Sequence, residues 1–245
     1  MLQWLKRELP ADTLVGFDMS MSFAFDDRKS YFPGWADSPA TARAFWAKVE
    51  QVCANEPHFG ATTFADHAGA APHFRRHGGR EGANFGADGQ KGGRGRFRHT
   101  EHAQARAGCR PYSNFNLVGA AQVGKGSMAG MRLLHRLQEN LAIWPFDPLP
   151  DSGSVLVEIY TTLAAIAAGR TAARSKIRDY AALNEALAAL GSKPVRGDGV
   201  LSDHAADALI SAAWLRGLAH EPANWSPTLL TPEIAATEGW TFGAR

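Results

Sequence analysis

Short apolar runs alternate with longer segments whose apolar positions recur at helical spacing. Residues 13–17 (TLVGF) and 154–159 (SVLVEI) are apolar runs with β-branched residues, and each predicts a buried strand. Two weaker runs, 115–118 and 239–242, predict further short strands. The helical repeats predict helices over 38–54, 127–141, 162–168, 175–190 and 202–218. Strands that alternate with helices are typical of an open α/β sheet.

Two local signals refine this pattern. Ser38 followed by Pro39 is a favourable start for a helix, so we expect Ser38 to be the N-cap of the first predicted helix. Residues 57–112 are dominated by Gly, His and Arg and show no apolar periodicity. They predict a flexible, basic surface insertion within a single domain that covers 1–245.

Composition narrows the class of protein. The chain has 245 residues, of which 45% are hydrophobic, and its formal net charge is only +2. A nucleic-acid partner would therefore need a local basic patch. Cys53 and Cys109 lie far apart without a CxxC context, which predicts neither a disulfide framework nor a zinc site. The apolar runs are too short to span a membrane and the first ten residues do not resemble a signal peptide, so we expect a cytoplasmic protein with no membrane partner.

Acidic residues follow both strongly predicted strands and one helix. Asp18 ends the first strand, and Glu158 lies near the end of the second. Asp203 and Asp207 share one face of the last long helix because they are four residues apart, and His204 lies near that face. Carboxylates that converge at one edge of a sheet favour Mg²⁺ or Mn²⁺, which can assist phosphodiester hydrolysis.

Each of these acids also fits an ordinary structural role. Asp18 could cap the turn after its strand, and Glu158 could face solvent. Asp203 suits the first turn of a helix, where the helix dipole favours an acid. Asp207 could lie on a solvated helix face. Spacing alone leaves both sets of roles open.

A resemblance emerges at the last long helix. The segment HAADALISAAW, residues 204–214, resembles the last-helix signature of RuvC-type Holliday junction resolvases. In those proteins an aspartate binds metal and a residue three positions earlier assists it. The resemblance assigns these roles to Asp207 and His204.

The order of several motifs extends the resemblance to most of the chain outside 57–95. LVGFDMSMSFAF, FRHTE, NLVGAAQVGKGSMAG, IWPFDP, VEIYTTL and TEGWTFG are similar to elements of the predicted RNase H-like nucleases called "domain of unknown function 429". The resemblance implies an α/β fold in which an RNase H-like mixed sheet is flanked by helices. It also implies a metal-dependent nuclease in which Asp18, Glu158 and Asp207 bind Mg²⁺ or Mn²⁺ and Asp203 or His204 completes the site.

The chain departs from that family in two places. Thr161 stands where the family usually has proline. LVGFD resembles a later strand of the family's sheet, so we expect the first β-hairpin, with its leading aspartate, to be missing here. That loss would remove one metal ligand, and it keeps open the alternative of a non-catalytic module of the same fold that binds nucleic acid or protein.

Basic residues supply candidate contacts to a phosphate backbone, and neighbouring phenylalanines are available for base stacking. The alternative for most of them is a solvated loop. Residues 119–125 (GAAQVGK) also match a phosphate-binding loop until Gly126 replaces the usual Ser or Thr, which leaves nucleotide binding through Lys125 as a further hypothesis. The candidate nucleic-acid contacts are Arg75, Arg76, Lys91, Arg94, Arg96, Arg98 and Lys125.

Overall fold

A computed structural model describes residues 1–78, 80–86, 94–119, 122–171 and 176–245. Its strands are β1 (Leu14–Phe17), β2 (Arg75–Arg76), β3 (Arg80–Glu81), β4 (Ala142–Trp144) and β5 (Val155–Glu158). Its α-helices are α1 (Leu2–Arg7), α2 (Ala42–Val52), α3 (Thr62–Asp66), α4 (His99–Arg106), α5 (Val123–Leu137), α6 (Thr161–Ala167), α7 (Tyr180–Ala189), α8 (Asp203–Leu218), α9 (Pro222–Trp225) and α10 (Pro232–Thr237).

Three parallel strands form a small sheet in the order β1-β5-β4. Leu14 is opposite Val155 and Phe17 is opposite Glu158. β2 and β3 form a separate antiparallel pair. The fold class is therefore α/β, with a small parallel sheet between helices, as the alternation of strands and helices predicts.

Successive side chains of a strand point to opposite faces of the sheet, and each face carries its own core. On one face, Val15 and Leu156 pack with buried side chains of α2 and α5. On the other face, Leu14 and Val157 pack with buried side chains of α6, α7 and α8. This division decides which acidic side chains can meet.

Predicted and observed elements agree best where an apolar run or a cap is strong. β1, β5, α6 and α8 are observed within one residue of their predicted positions, and Ser202 caps α8 through a bond from the Ala205 N–H. Residues 115–118 and 239–242 form only isolated bridges, Arg75 to Asn116 and Glu158 to Thr241. β4 was not predicted because three residues carry no periodic signal.

Three helices begin elsewhere than predicted. α7 begins at Tyr180, five residues after the predicted start, and the Asp179 side chain caps it by accepting the Ala182 N–H. Thr41, not Ser38, caps α2, because the Ser38 hydroxyl accepts the Phe32 N–H and bonds Ser30 within the preceding loop. α5 begins at Val123, four residues before the predicted start. The early turn contains Gly124 and Gly126, whose low helix propensity hides it from a sequence pattern.

The segment 57–112 differs from the predicted insertion. It contains α3, the β2–β3 pair and α4, and the side chains of Phe64, Phe74 and Phe85 are buried in the core. Their irregular spacing gives no periodic signal, yet their burial supplies apolar area that the Gly-rich composition does not indicate. Residues 79 and 87–93 lie outside the described part of this segment.

Candidate functional site

Asp18 follows β1 and lies between two cavities. The first cavity, of about 500 Å³, runs between β1 and α8, and we call it the edge groove. The second, of about 260 Å³, is bordered by Glu101, Glu158 and the start of α5, and we call it the acidic pocket. Asp18 lines both, and its carboxylate accepts long hydrogen bonds from the N–H (3.4 Å) and hydroxyl (3.3 Å) of Thr161.

α8 brings two of the other predicted residues to the edge groove. Asp207 and His204 both line it, opposite Asp18. Burial raises the pKa of Asp18, and the negative charges of Asp207 and Glu158 raise it further. Burial and the charge of Asp203 likewise raise the pKa of Asp207. Asp18 therefore interacts through space with Asp207 and Glu158, and the carboxylates of Asp18 and Asp207 line the same groove.

Asp203 is engaged elsewhere. Its carboxylate receives a hydrogen bond from Lys176 at 2.7 Å, and that bond lowers the pKa of Asp203. It also lies in the first turn of α8, where the helix dipole favours an acid. Asp203 therefore has the structural role of an acid in the first turn of a helix, which was one of the two roles that its spacing left open.

Glu158 is buried, with 2% of its surface exposed, and both carboxylate oxygens are hydrogen-bonded. Arg98 donates to both oxygens, at 2.6 and 2.9 Å. The Met21 N–H and the Thr241 hydroxyl donate one further bond each, at 2.7 and 2.6 Å. Four donors occupy the lone pairs that a metal ion would need.

The register of the sheet explains why Glu158 points away from α8. Glu158 is opposite Phe17 and projects toward the face that carries α2 and α5. Gly16 belongs to the other face, because a methyl group there would touch Leu215 of α8. Strand parity therefore directs Glu158 and the α8 acids to different faces.

These positions do not form a ready metal centre. Within the described ranges, no group of three or more His, Cys, Asp or Glu side chains is close enough to hold a metal ion. Asp18 and Asp207 offer two carboxylates, and Glu158 is taken by Arg98. A Mg²⁺ ion prefers six oxygen ligands in a near-octahedral arrangement. The residues present do not fit such an ion without further ligands.

Two predicted phosphate-binding residues are internal. The Arg96 guanidinium is buried against Phe115 and bonds Asp27 and the carbonyls of Ala24 and Tyr31. The Arg98 guanidinium is fully buried between Glu101 and Glu158. Neither guanidinium is accessible to a ligand in solution. Arg94 is exposed beside Phe97, and Lys91 lies outside the described residues.

Two of the predicted residues, Arg76 and Lys125, meet with a further cation at a third cavity, of about 300 Å³, which we call the cationic pocket. Arg76 and Arg80, from the β2–β3 pair, line it with Lys125 from the first turn of α5. The Lys125 ammonium donates a hydrogen bond to the Nε2 atom of His77 at 2.9 Å. The acid that lines this pocket, Asp66, bonds Arg76 at 2.7 Å and lies 4.0 Å from Arg80.

The cationic pocket also has apolar walls and an unsatisfied donor. Phe59, Leu117 and Met128 line it. The buried Nε atom of Arg76 has no hydrogen-bond partner. His58, with φ 52°, and Phe59, with φ 58°, both adopt the left-handed conformation that costs non-glycine residues energy. A pocket of this composition suits an anion that carries an apolar or aromatic group.

Sequence reasoning missed the partners of Glu158. Glu101 bonds the Arg98 N–H and side chain as a capping box at the start of α4. Buried Glu238 accepts the N–H groups of Phe25, Asp26 and His99. The spacing of FRHTE, in which Glu101 follows Arg98 by three residues as in a capping box, is a signal from which this network could have been predicted. The motifs FRHTE, VEIYTTL and TEGWTFG thus meet in one buried polar cluster.

Comparison with known proteins adds no relative. No protein-family model matches the chain, and neither a curated protein nor a solved structure is detectably similar to it. In the described residues, no helix has the length and apolar character that a membrane span requires. The sequence resemblance to RNase H-like nucleases therefore remains a hypothesis.

Proposed function

We propose that this protein is an RNase H-like module that binds the phosphate backbone of a nucleic acid. The cationic pocket is the observation that carries the proposal. Arg76, Arg80 and Lys125 line one cavity. Among its described lining residues Asp66 is the one carboxylate, and it neutralises only part of their positive charge. Clustered guanidinium and ammonium groups bind phosphate through charge-assisted hydrogen bonds.

The walls of the pocket favour a nucleotide chain over a simple inorganic anion. Phe59 is only partly buried, and the Arg136 guanidinium lies 5.0 Å from its ring centroid. Its ring, Leu117 and Met128 form an apolar wall against which a base can pack. His58 and Phe59, in this wall, both have the left-handed backbone conformation, which is unfavourable unless the surrounding structure stabilises it. Strain of this kind is concentrated at binding sites.

Fluorescence anisotropy with labelled 20-nucleotide RNA, single-stranded DNA and duplex DNA tests the proposal. We expect salt-dependent binding, because each phosphate contact releases counterions. Arg80→Ala with Lys125→Ala should weaken binding at least tenfold and reduce the slope of log K against log salt by about 2, one unit per contact. Both side chains lie at the pocket surface, so the fold should persist.

Lys193→Ala is the matched control, because Lys193 is exposed on the loop between α7 and α8. It should leave the affinity and the salt slope unchanged. An equal loss in this control would indicate non-specific attraction. Failure of all three nucleic acids to bind at low salt would reject the proposal, and binding of ATP alone would favour the nucleotide-binding hypothesis for Lys125.

Metal-dependent phosphodiester hydrolysis is the second candidate function. The interaction of Asp18 with Asp207 across the edge groove favours it, since like charges at one site attract a divalent cation. Because the residues present do not complete a metal centre, this candidate needs ligands beyond them. Mn²⁺ titration by calorimetry into the wild type and Asp207→Asn separates the candidates. Tight binding that the variant loses would support hydrolysis, and no binding by the wild type would reject it.

A further inference from the structure

β1 is an edge strand whose outer side is unpaired. It bonds β5 on one side, and in the described chain no strand pairs with its other side. The Thr13 carbonyl accepts the Val155 N–H, and the Phe17 carbonyl accepts the Ile159 N–H. In a parallel pair, alternate residues serve one neighbour, so the backbone groups of Leu14 and Gly16 point to the open side.

Leu14 and Gly16 of β1 line the edge groove, opposite α8. α8 lines the groove from His204 to Ala219, a length of about 22 Å at 1.5 Å per residue. An extended strand of about six or seven residues has the same length. The α8 residues along it include Ala208 and Ala212, whose small side chains allow another backbone to approach closely.

A buried hydroxyl in the groove has no partner. Ser211 lines the groove, is 3% exposed, and its Oγ atom makes no hydrogen bond. Serine hydroxyls within helices ordinarily bond a carbonyl one turn earlier, which this one does not. A buried hydroxyl left without a hydrogen bond is energetically unfavourable. Because the Oγ atom is buried, the Ser211 side chain must rotate toward the groove before a backbone N–H or C=O group of an occupant can bond it.

The charge of the groove indicates what the occupant carries. Asp18 and Asp207 lie at the end where α8 begins. Of the described cations near this end, Lys176 is bonded to Asp203, and Arg178 also acts on Asp203. At the far end, Arg216 already donates to the Gly191 carbonyl and the Ser192 hydroxyl. We therefore expect the occupant to place a positive charge at the end of the groove that Asp18 and Asp207 line.

We propose that the edge groove binds an extended segment of a partner polypeptide, which adds to β1 as a fourth strand and places a Lys or Arg beside Asp18 and Asp207. Backbone bonds to Leu14 and Gly16 would supply affinity, as in other cases of strand addition. A second copy of β1 fits less well, because it is flanked by Asp12 and Asp18 and would bring acids to acids. This proposal does not depend on the cationic pocket.

Labelled heptapeptides of alternating valine and threonine, capped at both ends, provide the test. One carries lysine at its amino end and one at its carboxyl end, so both strand directions are covered. We expect saturable binding of one peptide by anisotropy. Amide hydrogen exchange at Leu14 and Gly16 should slow at least tenfold, while the already bonded Val15 changes little. A peptide with proline at alternate positions, which lacks the N–H donors, should not bind.

Substitutions in α8 locate the peptide. Ala212→Trp should fill the groove and weaken binding at least tenfold, with an unchanged unfolding curve because Ala212 is exposed. Leu209→Trp, on an exposed position of α8 outside the groove, is the matched control and should bind normally. Asp18→Asn with Asp207→Asn should abolish the preference for lysine over glutamine in the peptide.

Three outcomes would overturn the proposal. The first is that neither lysine peptide binds at millimolar concentration. The second is binding that leaves exchange at Leu14 and Gly16 unchanged, and the third is binding that Ala212→Trp and Leu209→Trp weaken equally. Loss of nucleic-acid binding in the Arg80 and Lys125 variant bears only on the proposed function, because those residues line a different cavity.

Discussion

The Arg98 guanidinium holds both carboxylate oxygens of Glu158 in a fully buried ion pair, with Nη2–Oε1 at 2.6 Å and Nη1–Oε2 at 2.9 Å. Glu101 bonds the same guanidinium from the first turn of α4. Burial alone would lower the pKa of Arg98, but Glu101 and Glu158 outweigh burial and raise it. The pair joins β5 to the loop before α4, so we infer that it organises the fold.

Arg98→Met should destabilise the protein by about 3–5 kcal/mol, because it leaves two buried carboxylates without their cation. Urea unfolding at pH 7 measures the loss. Arg94→Met, which removes an exposed guanidinium, should cost less than about 1 kcal/mol. If Arg98→Met does not fold, the milder Glu158→Gln should still lower the midpoint. Full stability of both variants would show that the ion pair is not structural.

Asp207→Asn should stabilise the protein at pH 7 by an amount on the order of 0.5 kcal/mol. Burial and Asp203 raise the pKa of Asp207, so the folded state binds that proton more tightly than the unfolded chain does. The stability that this carboxyl contributes is therefore present below its ordinary pKa of 3.8 and is lost as the pH rises through the folded-state pKa. Urea midpoints from pH 3.5 to 7 should show the advantage of the variant growing with pH.

Asp203→Asn serves as the control for that series. The Lys176 bond lowers the pKa of Asp203, so its removal should give no gain at pH 7. An equal gain in both variants would mean that general charge reduction is responsible.

His73→Phe should flatten the fall of stability in mild acid. Burial, with a contribution from Arg96, lowers the pKa of His73 to about 4. Between pH 6.5 and 4, His73 is therefore protonated in the unfolded chain but neutral in the folded protein. The free energy of unfolding falls as the pH drops through this range, by up to about 1.4 kcal/mol per pH unit. Phenylalanine can pack against Phe32, whose ring lies 5.5 Å from that of His73.

Urea unfolding between pH 4 and 7 measures the effect of His73→Phe. His220→Gln, at an exposed position, should keep the wild-type pH dependence. A wild-type slope in the His73 variant would assign the acid sensitivity to other groups.

Cys53 and Cys109 should resist thiol reagents in the folded protein. Both are free and buried, and burial raises the pKa of each thiol to about 11. Because the thiolate is the reactive form, reaction with 5,5′-dithiobis(2-nitrobenzoate) at pH 8 should be slow. Both thiols should react at once in guanidinium chloride. Rapid reaction of either in native buffer would contradict its burial.

The sequence alone determined the elements that carry a strong local signal. β1 and β5 are apolar runs, and α8 has both a Ser202 cap and a long helical segment. The sequence also predicted where Asp18, His204 and Asp207 lie on their own elements, at a strand end and on a helix face, and in the structure all three line the edge groove. Core residues in segments without periodicity were not predicted, and the buried Phe64, Phe74 and Phe85 are examples.

Only the tertiary structure decided which charged side chains are accessible to a ligand and which are paired inside the protein. The sequence placed Glu158 with the other acids, but the parallel register turns it to the opposite face, where Arg98 holds it. Arg96 and Arg98 look like surface cations in a Gly-rich run, yet both are internal because carboxylates distant in sequence surround them. Strand parity and long-range ion pairs depend on contacts between separated segments, so local pattern determined the elements and packing determined the chemistry of their side chains.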